Sequence, residues 1–143
     1  MDLFRALDIS ASGLSAHKNK MEVIAENLAN TDTLVTRAGG PYQRKGVVME
    51  AADGHGFHAT LRGESVPEGG VQVSRVVELP DPPRRVYEPG HPHAGTDGFV
   101  SYPNVVSLTE MVDMLATTRA YEANASAFQA TKSMGTKLLE LLR

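Results

Sequence analysis

The placement of proline and glycine limits this chain more than any other feature of its sequence. All 8 prolines and 11 of the 13 glycines lie between Gly39 and Pro103. Proline removes a backbone donor and blocks helix interiors, and glycine costs a helix about 1 kcal/mol relative to alanine. The segments 1–38 and 104–143 are therefore free to form long helices, whereas the middle has to be built from turns, extended chain and short strands. The sequence predicts a mainly α protein with a small β insertion.

Length, charge and cysteine content exclude several classes of protein. The chain has 143 residues, enough for one domain, and its formal net charge of -3 argues against a broad nucleic-acid-binding surface. It has no cysteine, which excludes disulfides, thiolate metal sites and a cysteine nucleophile. No apolar run approaches the ~20 residues that span a bilayer, and the first residues lack the pattern of a cleavable secretory signal. The basic pairs Arg44–Lys45 and Arg84–Arg85 are expected to be solvated or to pair with a neighbour's carboxylates.

The N-terminal segment has the heptad spacing that is typical of paired helices. The stripe recurs at steps of three and four, and only Lys18 interrupts it. We predict a helix from about Leu3 to Leu28, roughly 40 Å long at 1.5 Å per residue. The polar run Asn30–Thr33 is expected to end it, because asparagine tolerates a left-handed cap and threonine competes for backbone hydrogen bonds. The stripe is Phe4, Leu7, Ala11, Leu14, Met21, Ala25 and Leu28.

The C-terminal segment predicts a second, longer helix that ends near Leu142. Its start is either Asn104, directly after the last proline, or Ser107, since Ser107 and Glu110 fit a capping box. Gly135 is expected to weaken the final turns. The stripe has the same spacing as in the first helix: Met111, Met114, Thr118, Tyr121, Ala125, Phe128, Leu139 and Leu142.

The two helices carry more apolar residues than one contact between them can bury. Residues 1–38 and 104–143 are expected to form one helical core, a coiled-coil hairpin, and residues 39–103 an insertion. The surplus predicts an intermolecular contact face, although an ordinary helical bundle closed by the middle segment is an alternative. The residues predicted to serve helix pairing and assembly are Leu7, Leu14, Met21, Leu28, Met111, Met114, Leu115, Tyr121, Phe128, Leu138, Leu139 and Leu142.

Short strands are predicted in the middle segment. The candidates are Tyr42–Glu50, Phe57–Leu61 and Val71–Val77, of which the last alternates at first and follows two glycines. The proline-rich run Pro80–Pro83 favours an extended path, and Tyr87–Pro92 has turn chemistry. The middle is therefore expected to be a β-hairpin or small sheet followed by an extended loop.

Catalytic and metal-binding patterns are weak in this chain. It contains no phosphate-binding loop, no complete dinucleotide-binding glycine motif and no complete nucleophile elbow. Two histidine pairs, His55 with His58 and His91 with His93, have residue types that bind zinc or nickel. The pairs are over 30 residues apart and lie in loop-like sequence. We therefore expect solvated histidines, no metal, no cofactor and no enzymatic activity.

Five stretches of the sequence match one known family in order and spacing. Residues 26–33, at the end of the first helix, resemble the closing A-N-x-x-T pattern of flagellar rod and hook proteins. The runs 40–45, 87–92 and 98–105 resemble the proximal rod members of that family, and 110–124 is similar to their last helix. The residues that carry the helix-end motif are Asn27, Ala29, Asn30, Thr31 and Thr33.

The resemblance implies a structural subunit of the bacterial flagellar basal body, in its proximal rod. Such subunits assemble helically through their terminal helices and form the axial drive shaft and the wall of the export channel. The implied partners are further copies of the chain, the neighbouring proximal and distal rod subunits, the rod-base adaptor to the membrane ring, and the flagellar type III export apparatus. The implied place is the rod where it crosses the periplasm, reached without a cleaved signal peptide. Nucleic acids and small-molecule substrates are not expected.

Two other functions are compatible with the composition alone. A soluble coiled-coil adaptor with a small β insertion would have a similar sequence pattern. A histidine-dependent metal enzyme would require the two histidine pairs to meet.

Overall fold

The computed structural model describes residues 3–52 and 69–141. A long helix lies at each end of the chain and four short strands lie between them, as the confinement of proline and glycine predicted. The predicted strand Phe57–Leu61 and the stripe residue Leu142 lie outside the described residues. In chain order the elements are α1 (Leu3–Ala29), β1 (Lys45–Ala51), β2 (Val71–Glu78), β3 (Arg84–Tyr87), β4 (Phe99–Tyr102) and α2 (Ser107–Leu141).

The two helices pack side by side and run antiparallel. A Cβ built on Gly13 would lie 3.1 Å from Asn124 Nδ2, and Asn27 Nδ2 donates a hydrogen bond of 3.1 Å to Glu110 Oε2. Fourteen residues separate Gly13 from Asn27, and fourteen separate Glu110 from Asn124, so both contacts belong to one register. Helices that flank a small β region are thereby confirmed, whereas the supercoiled geometry of a coiled coil stays a prediction.

The buried face of α1 lies beside the predicted stripe. Because α1 packs against α2 and also against β1 and β2, its most buried positions lie between these two contacts. The buried residues are Gly13, Ala16, Val23, Ile24 and Asn27. Of the predicted stripe, Phe4, Ala11 and Ala25 are exposed, and Leu7, Leu14, Met21 and Leu28 are half-buried. Small residues therefore form much of the buried face and let the backbones approach closely.

The face of α2 that meets α1 combines an apolar column with a polar one. We call these eight positions the seam: Glu110, Met114, Thr117, Tyr121, Asn124, Phe128, Thr131 and Gly135, all buried or half-buried. The apolar column was part of the predicted stripe. The polar column, which includes Glu110, Thr117 and Asn124, lies one residue before the predicted positions 111, 118 and 125. It was not predicted, because a search for apolar spacing passes over polar residues. The seam keeps strict heptad spacing although half of its residues are polar.

The ends of the helices differ from the predicted caps. α2 begins at Ser107, one of the two predicted starts, and Glu110 N–H donates to Val106 C=O over 3.1 Å. The Glu110 carboxylate accepts from Arg44 and Asn27, so the predicted capping box is wrong. Arg44 and Asn27 compete with the backbone N–H groups at the helix start for the Glu110 carboxylate. The buried contacts are favoured, because a capping hydrogen bond at an exposed helix start stabilises the helix by only ~1 kcal/mol.

The end of α1 is made by side chains that bond to the last turn. Asn30 Nδ2 donates to Glu26 C=O and Thr31 Oγ1 donates to Leu28 C=O, both over 2.8 Å. Among the described residues only glycines have a positive φ, so Asn30 does not adopt the left-handed cap that the sequence predicted. The prediction that Asn30 and Thr31 end the helix is confirmed, by side-chain hydrogen bonds.

The first strand pair lies against α1. β1 and β2 are antiparallel, in register from Lys45 opposite Glu78 to Ala51 opposite Val71, and Ser74 is an extra residue at a bulge. Val71 N–H donates to Ser12 Oγ on α1 over 3.1 Å. This contact ties the far end of the strand pair to the middle of the helix.

The second strand pair was not predicted. β3 and β4 are antiparallel, with Arg84 opposite Tyr102 and Tyr87 opposite Phe99. The sequence pattern missed them because each strand has only four residues and the proline-rich run hides the start of β3. Turns follow β3, where turn chemistry was predicted, and Gly98 has a φ of 75° before β4.

Candidate functional site

The last turn of α1, the first turn of α2 and the start of β1 meet at a buried cluster of polar side chains. We call this cluster, formed by Asn27, Tyr42, Arg44, Lys45 and Glu110, the polar junction. Asn27 is 1% exposed and lies at its centre. Because α1 carries Asn27 in its last turn and α2 carries Glu110 in its first, the antiparallel register brings them together.

Every hydrogen-bonding position of the Asn27 amide is occupied. Its Nδ2 donates to Lys45 C=O over 2.9 Å and to Glu110 Oε2 over 3.1 Å. Its Oδ1 accepts from Tyr42 O–H at 3.0 Å and from Lys45 N–H at 2.9 Å. An amide offers two donors and two acceptor positions, so Asn27 has no capacity left. One side chain thus joins both helices to the first strand.

Glu110 is a buried carboxylate with a charged partner. It is 1% exposed, and its Oε1 accepts from Arg44 Nε over 2.6 Å. Arg44 Nη2 also lies 3.6 Å from Asp113 Oδ2, one turn further along α2. A buried charge that loses its partner typically destabilises a protein by ~3–5 kcal/mol. The arginine is therefore the counterion that permits Glu110 at this depth.

Tyr42 lies among carboxylates and is held in its neutral form. Burial, and then the negative charges of Glu26, Glu110 and Glu78, raise the pKa of Tyr42 to about 12. The phenol therefore remains a donor to Asn27 at any physiological pH. Lys45 Nζ pairs with Glu26 and lies 5.8 Å from the centre of the Tyr42 ring.

The residues of the helix-end motif turn the chain from α1 back to the polar junction. Asn27 is buried in the junction, Ala29 is exposed, and Asn30 and Thr31 close the helix. Thr33 Oγ1 donates to Asn30 Oδ1 over 3.1 Å, and Thr33 C=O accepts from Tyr42 N–H over 3.0 Å. The motif thus places Tyr42 and the residues after it beside Asn27.

Of the five members of this site, sequence reasoning identified only Asn27 and missed Tyr42, Arg44, Lys45 and Glu110. Arg44 was expected to be solvated or to pair with a neighbouring molecule, whereas it pairs with Glu110 and Asp113 of its own chain. One signal was available: Glu110 continues the seven-residue spacing of Thr117 and Asn124, which places a carboxylate on the paired face.

An apolar patch lies on the first turns of α2, on the side away from α1. We call it the outer patch; its members are between 51% and 72% exposed: Leu108, Met111, Val112 and Leu115. Their spacing of three, four and seven residues puts them on one helix face. That face is roughly opposite Glu110, Met114 and Thr117 of the seam. Apolar side chains grouped on one exposed face of a soluble protein are typical of a contact with another molecule.

A second group of exposed apolar residues lies at the other end of the helix pair. On α2 it comprises Met134, Leu138, Leu139 and Leu141, and on α1 Phe4, all at least 54% exposed. Gly135 lies opposite Leu3, since a Cβ at Gly135 would be 2.7 Å from Leu3 Cδ2. Leu139 lies one turn beyond that contact along α2 and is 70% exposed.

The residues predicted for helix pairing and assembly divide into two groups. Half-buried at or beside the contact between the helices are Leu7, Leu14, Met21, Leu28, Met114, Tyr121 and Phe128. Exposed are Met111, Leu115, Leu138 and Leu139. Leu142 lies outside the described residues. The functional roles of all twelve stay predictions.

The β3–β4 hairpin carries an exposed group of aromatic and charged side chains. Arg85 forms an ion pair with Asp97, and its guanidinium lies 4.9 Å from the centre of the Phe99 ring. The Phe99 and Tyr87 rings are 5.2 Å apart, edge to face. The Phe99 N–H, and then Arg85, lower the pKa of Asp97. The second basic pair thus also finds a carboxylate within the chain.

Nothing in the described part of the chain forms a metal centre. Residues 3–52 and 69–141 contain no group of three or more histidine or carboxylate side chains arranged to hold an ion. The rings of His91 and His93 are 5.7 Å apart, and His55 and His58 lie outside the described residues. Neither α1 nor α2 combines the length and apolar character that a membrane-spanning helix requires.

Comparison with known proteins points to one family. A family profile described as "Flagella basal body rod protein" matches residues 7–34, and one described as "Flagellar basal body rod FlgEFG protein C-terminal" matches residues 96–141. The flagellar basal-body rod protein FlgC of Bacillus subtilis is 41% identical over 99% of both chains. Those of Salmonella typhimurium and Borreliella burgdorferi are 40% and 32% identical, over 99% and 100% of this chain and 98% and 99% of their own.

Proposed function

The chain belongs to the family of the flagellar basal-body rod protein FlgC, and on that premise we propose that the outer patch joins it to neighbouring subunits of the rod. The family makes the chain a structural, non-enzymatic subunit of the flagellar basal-body rod, which assembles with other rod proteins. This identity sets aside both the coiled-coil adaptor and the metal enzyme that composition alone allowed.

The proposed place of the subunit is the proximal rod. There it assembles helically through its terminal helices and contributes to the drive shaft and to the wall of the export channel. Its neighbours are further copies of the chain, adjacent proximal and distal rod subunits, and the rod-base adaptor to the membrane ring. It reaches that place through the flagellar export apparatus, in the part of the rod that crosses the periplasm.

The exposure of the outer patch supports this proposal most directly. The seam occupies one face of α2 and the outer patch the opposite one, so α2 can contact α1 and another molecule at the same time. An apolar face of four side chains gains roughly 1.5–3 kcal/mol for each one that becomes fully buried. Contacts that repeat head to tail without closing build a helical filament.

Leu115→Asp tests the contact. A charge within a buried apolar contact is expected to abolish swimming in soft agar, because the subunit can no longer be held in the rod. Leu138→Asp is the parallel test for the apolar group at the other end. Both variants should accumulate in the cell at the parent level, since these side chains are exposed in the isolated subunit.

Leu115→Met is the matched control, because it keeps apolar character and similar volume; it should swim normally. Normal swimming of Leu115→Asp would contradict the role of the outer patch. Normal swimming of both aspartate variants would show that neither apolar surface of α2 takes part in the assembly.

A further inference from the structure

The contact between α1 and α2 repeats along the helices, and its apolar part does not fix how far one helix is shifted along the other. Met114, Tyr121 and Phe128 follow each other at seven-residue intervals on the seam. A shift of α2 by seven residues moves it ~10 Å along α1, and brings Tyr121 and Phe128 to two of these three positions and Gly135 to the third. Apolar contact is non-directional, so the shifted helices keep two of the three large side chains in contact.

Within the described residues, the hydrogen bonds between α1 and α2 lie toward one end of the helix pair. They are that of Asn27 Nδ2 to Glu110 Oε2, at 3.1 Å, and a weak one from Thr118 Oγ1 to Met21 Sδ, at 3.7 Å. Thr117, which is 3% exposed, donates to a carbonyl of its own helix over 2.7 Å. Its bond would move with α2 and does not distinguish one register from another.

The two side chains of the stronger bond are held by groups outside the helices. Lys45 N–H and C=O both bond to the Asn27 amide, which fixes its orientation. Arg44 Nε bonds to the second oxygen of Glu110. After a one-heptad shift Thr117 would lie opposite Asn27, and the buried carboxylate would lose its amide donor. A buried polar group without its partner is costly, so the shifted register is disfavoured at this one place.

We propose that the Asn27–Glu110 hydrogen bond, braced by Arg44 and Lys45, sets the register of α2 against α1. Because Lys45 begins β1, the same bond fixes where the outer patch lies relative to the β1–β2 pair. Asn27 and Glu110 are thus positioning residues. A single polar residue in a helical seam can specify register in this way, at some cost in stability. This inference concerns the isolated subunit and does not depend on the proposed assembly contact.

Distances between spin labels test the register. Ser15→Cys and Ser133→Cys place two exposed labelling sites in a chain without native cysteine. With Gly13 opposite Asn124, the two sites are ~16 Å apart along the helix axes. Double electron–electron resonance on the otherwise unchanged full-length chain should show one distance. Glu110→Leu should add a second population, shifted by up to ~10 Å, at unchanged helix content by circular dichroism.

Two further variants show whether the register depends on the Asn27–Glu110 hydrogen bond or on any buried polar side chain of α2. Glu110→Gln keeps an acceptor for Asn27 and should retain the parent distance. Thr117→Val removes an equally buried polar group one heptad away, whose bond is local, and should also retain it. A second population in Thr117→Val would overturn the proposal, because any change in the polar column would then loosen the register.

Asn27→Asp decides the question if Glu110→Leu loses its helices. It keeps the acceptor for Tyr42 and Lys45 but cannot donate to Glu110, so a shifted population is again expected. A single parent distance in whichever variant remains helical overturns the proposal. Loss of helix content in both also counts against it, because a register lock leaves helix formation itself intact.

Discussion

Asn27 and Glu110 are polar side chains at positions where a helical hairpin usually buries apolar ones. Each is 1% exposed, and each has a partner for every group it turns inward. The helix-end motif identified Asn27 from the sequence. Glu110 was assigned to a capping box, since a capping glutamate and a buried one can occupy the same position of a sequence. What decides between them is Arg44, whose proximity only the folded chain reveals.

Replacing Arg44 should show the cost of leaving Glu110 without its cation. Arg44→Met is expected to lower the free energy of unfolding by about 3 kcal/mol, because a buried charge then lacks compensation. Arg85→Met removes an exposed ion pair, in which the side chains are 57% and 52% exposed, and should lower the free energy of unfolding much less than Arg44→Met does. Urea denaturation of both variants measures the difference. Equal effects would mean that Glu110 is stabilised by other groups.

Tyr42 predicts a loss of stability in alkali. Its pKa is raised from 10.0 to about 12 in the folded chain, so the neutral phenol is favoured more by the folded than by the unfolded state. That contribution is complete below pH 10 and disappears as the pH rises from 10 to 12. Between pH 10 and 12 the free energy of unfolding of the parent should therefore decline more than that of Tyr42→Phe. The tyrosinate absorbance of Tyr42→Phe should lack the titration step near pH 12 that the parent shows. A titration curve identical to the parent's would exclude a buried phenol at position 42.

At the scale of elements, heptad spacing located both helices but only part of their contact. Met114, Tyr121 and Phe128, which the spacing assigned to helix pairing, are half-buried on the seam, and their role in pairing stays a prediction. The polar column and the small residues Gly13 and Ala16 were not predicted. Apolar periodicity identifies large hydrophobic side chains, and it gives no sign of where two backbones approach closely. The β3–β4 hairpin escaped it because four-residue strands are too short for an alternating pattern to stand out.

Gly13 permits the close approach of the helices, and its replacement should separate them. A Cβ at this position would meet Asn124 Nδ2 at 3.1 Å, so Gly13→Ala requires a small movement of the amide and Gly13→Leu a displacement of the helix. We expect a modest change in Tm for alanine and a loss of several degrees for leucine. Thermal unfolding followed by circular dichroism measures both.

Gly135→Ala is the control for helix propensity. Its Cβ would meet the end of the flexible Leu3 side chain, which can move aside. Alanine should therefore raise Tm slightly, since it favours the helix by about 1 kcal/mol over glycine. A rise of Tm in Gly13→Leu comparable to that of Gly135→Ala would show that the helices are not in close contact at Gly13.

At the scale of the whole molecule, the arrangement of two terminal helices around a β insertion followed from where the chain can and cannot be helical. Prolines confined to residues 39–103 left no other place for long helices. The antiparallel register, by contrast, depends on the polar junction, and its members Tyr42 and Arg44 lie in the middle segment. The contacts of Glu110 with Arg44 and Asn27 join residues 66 and 83 positions apart, and no local pattern of the sequence reports these partners.

The polar junction is at one end of the helix pair, and this has a mechanical consequence. α2 has 35 residues, ~52 Å at 1.5 Å per residue, and is clamped near its start to α1 and β1. Toward Gly135 the contact with α1 continues as side-chain packing, with Gly135 against Leu3. We therefore expect the resistance of the subunit to twist to fall from the Glu110 end toward the Gly135 end, so that the exposed apolar side chains there can adjust to the surface they contact.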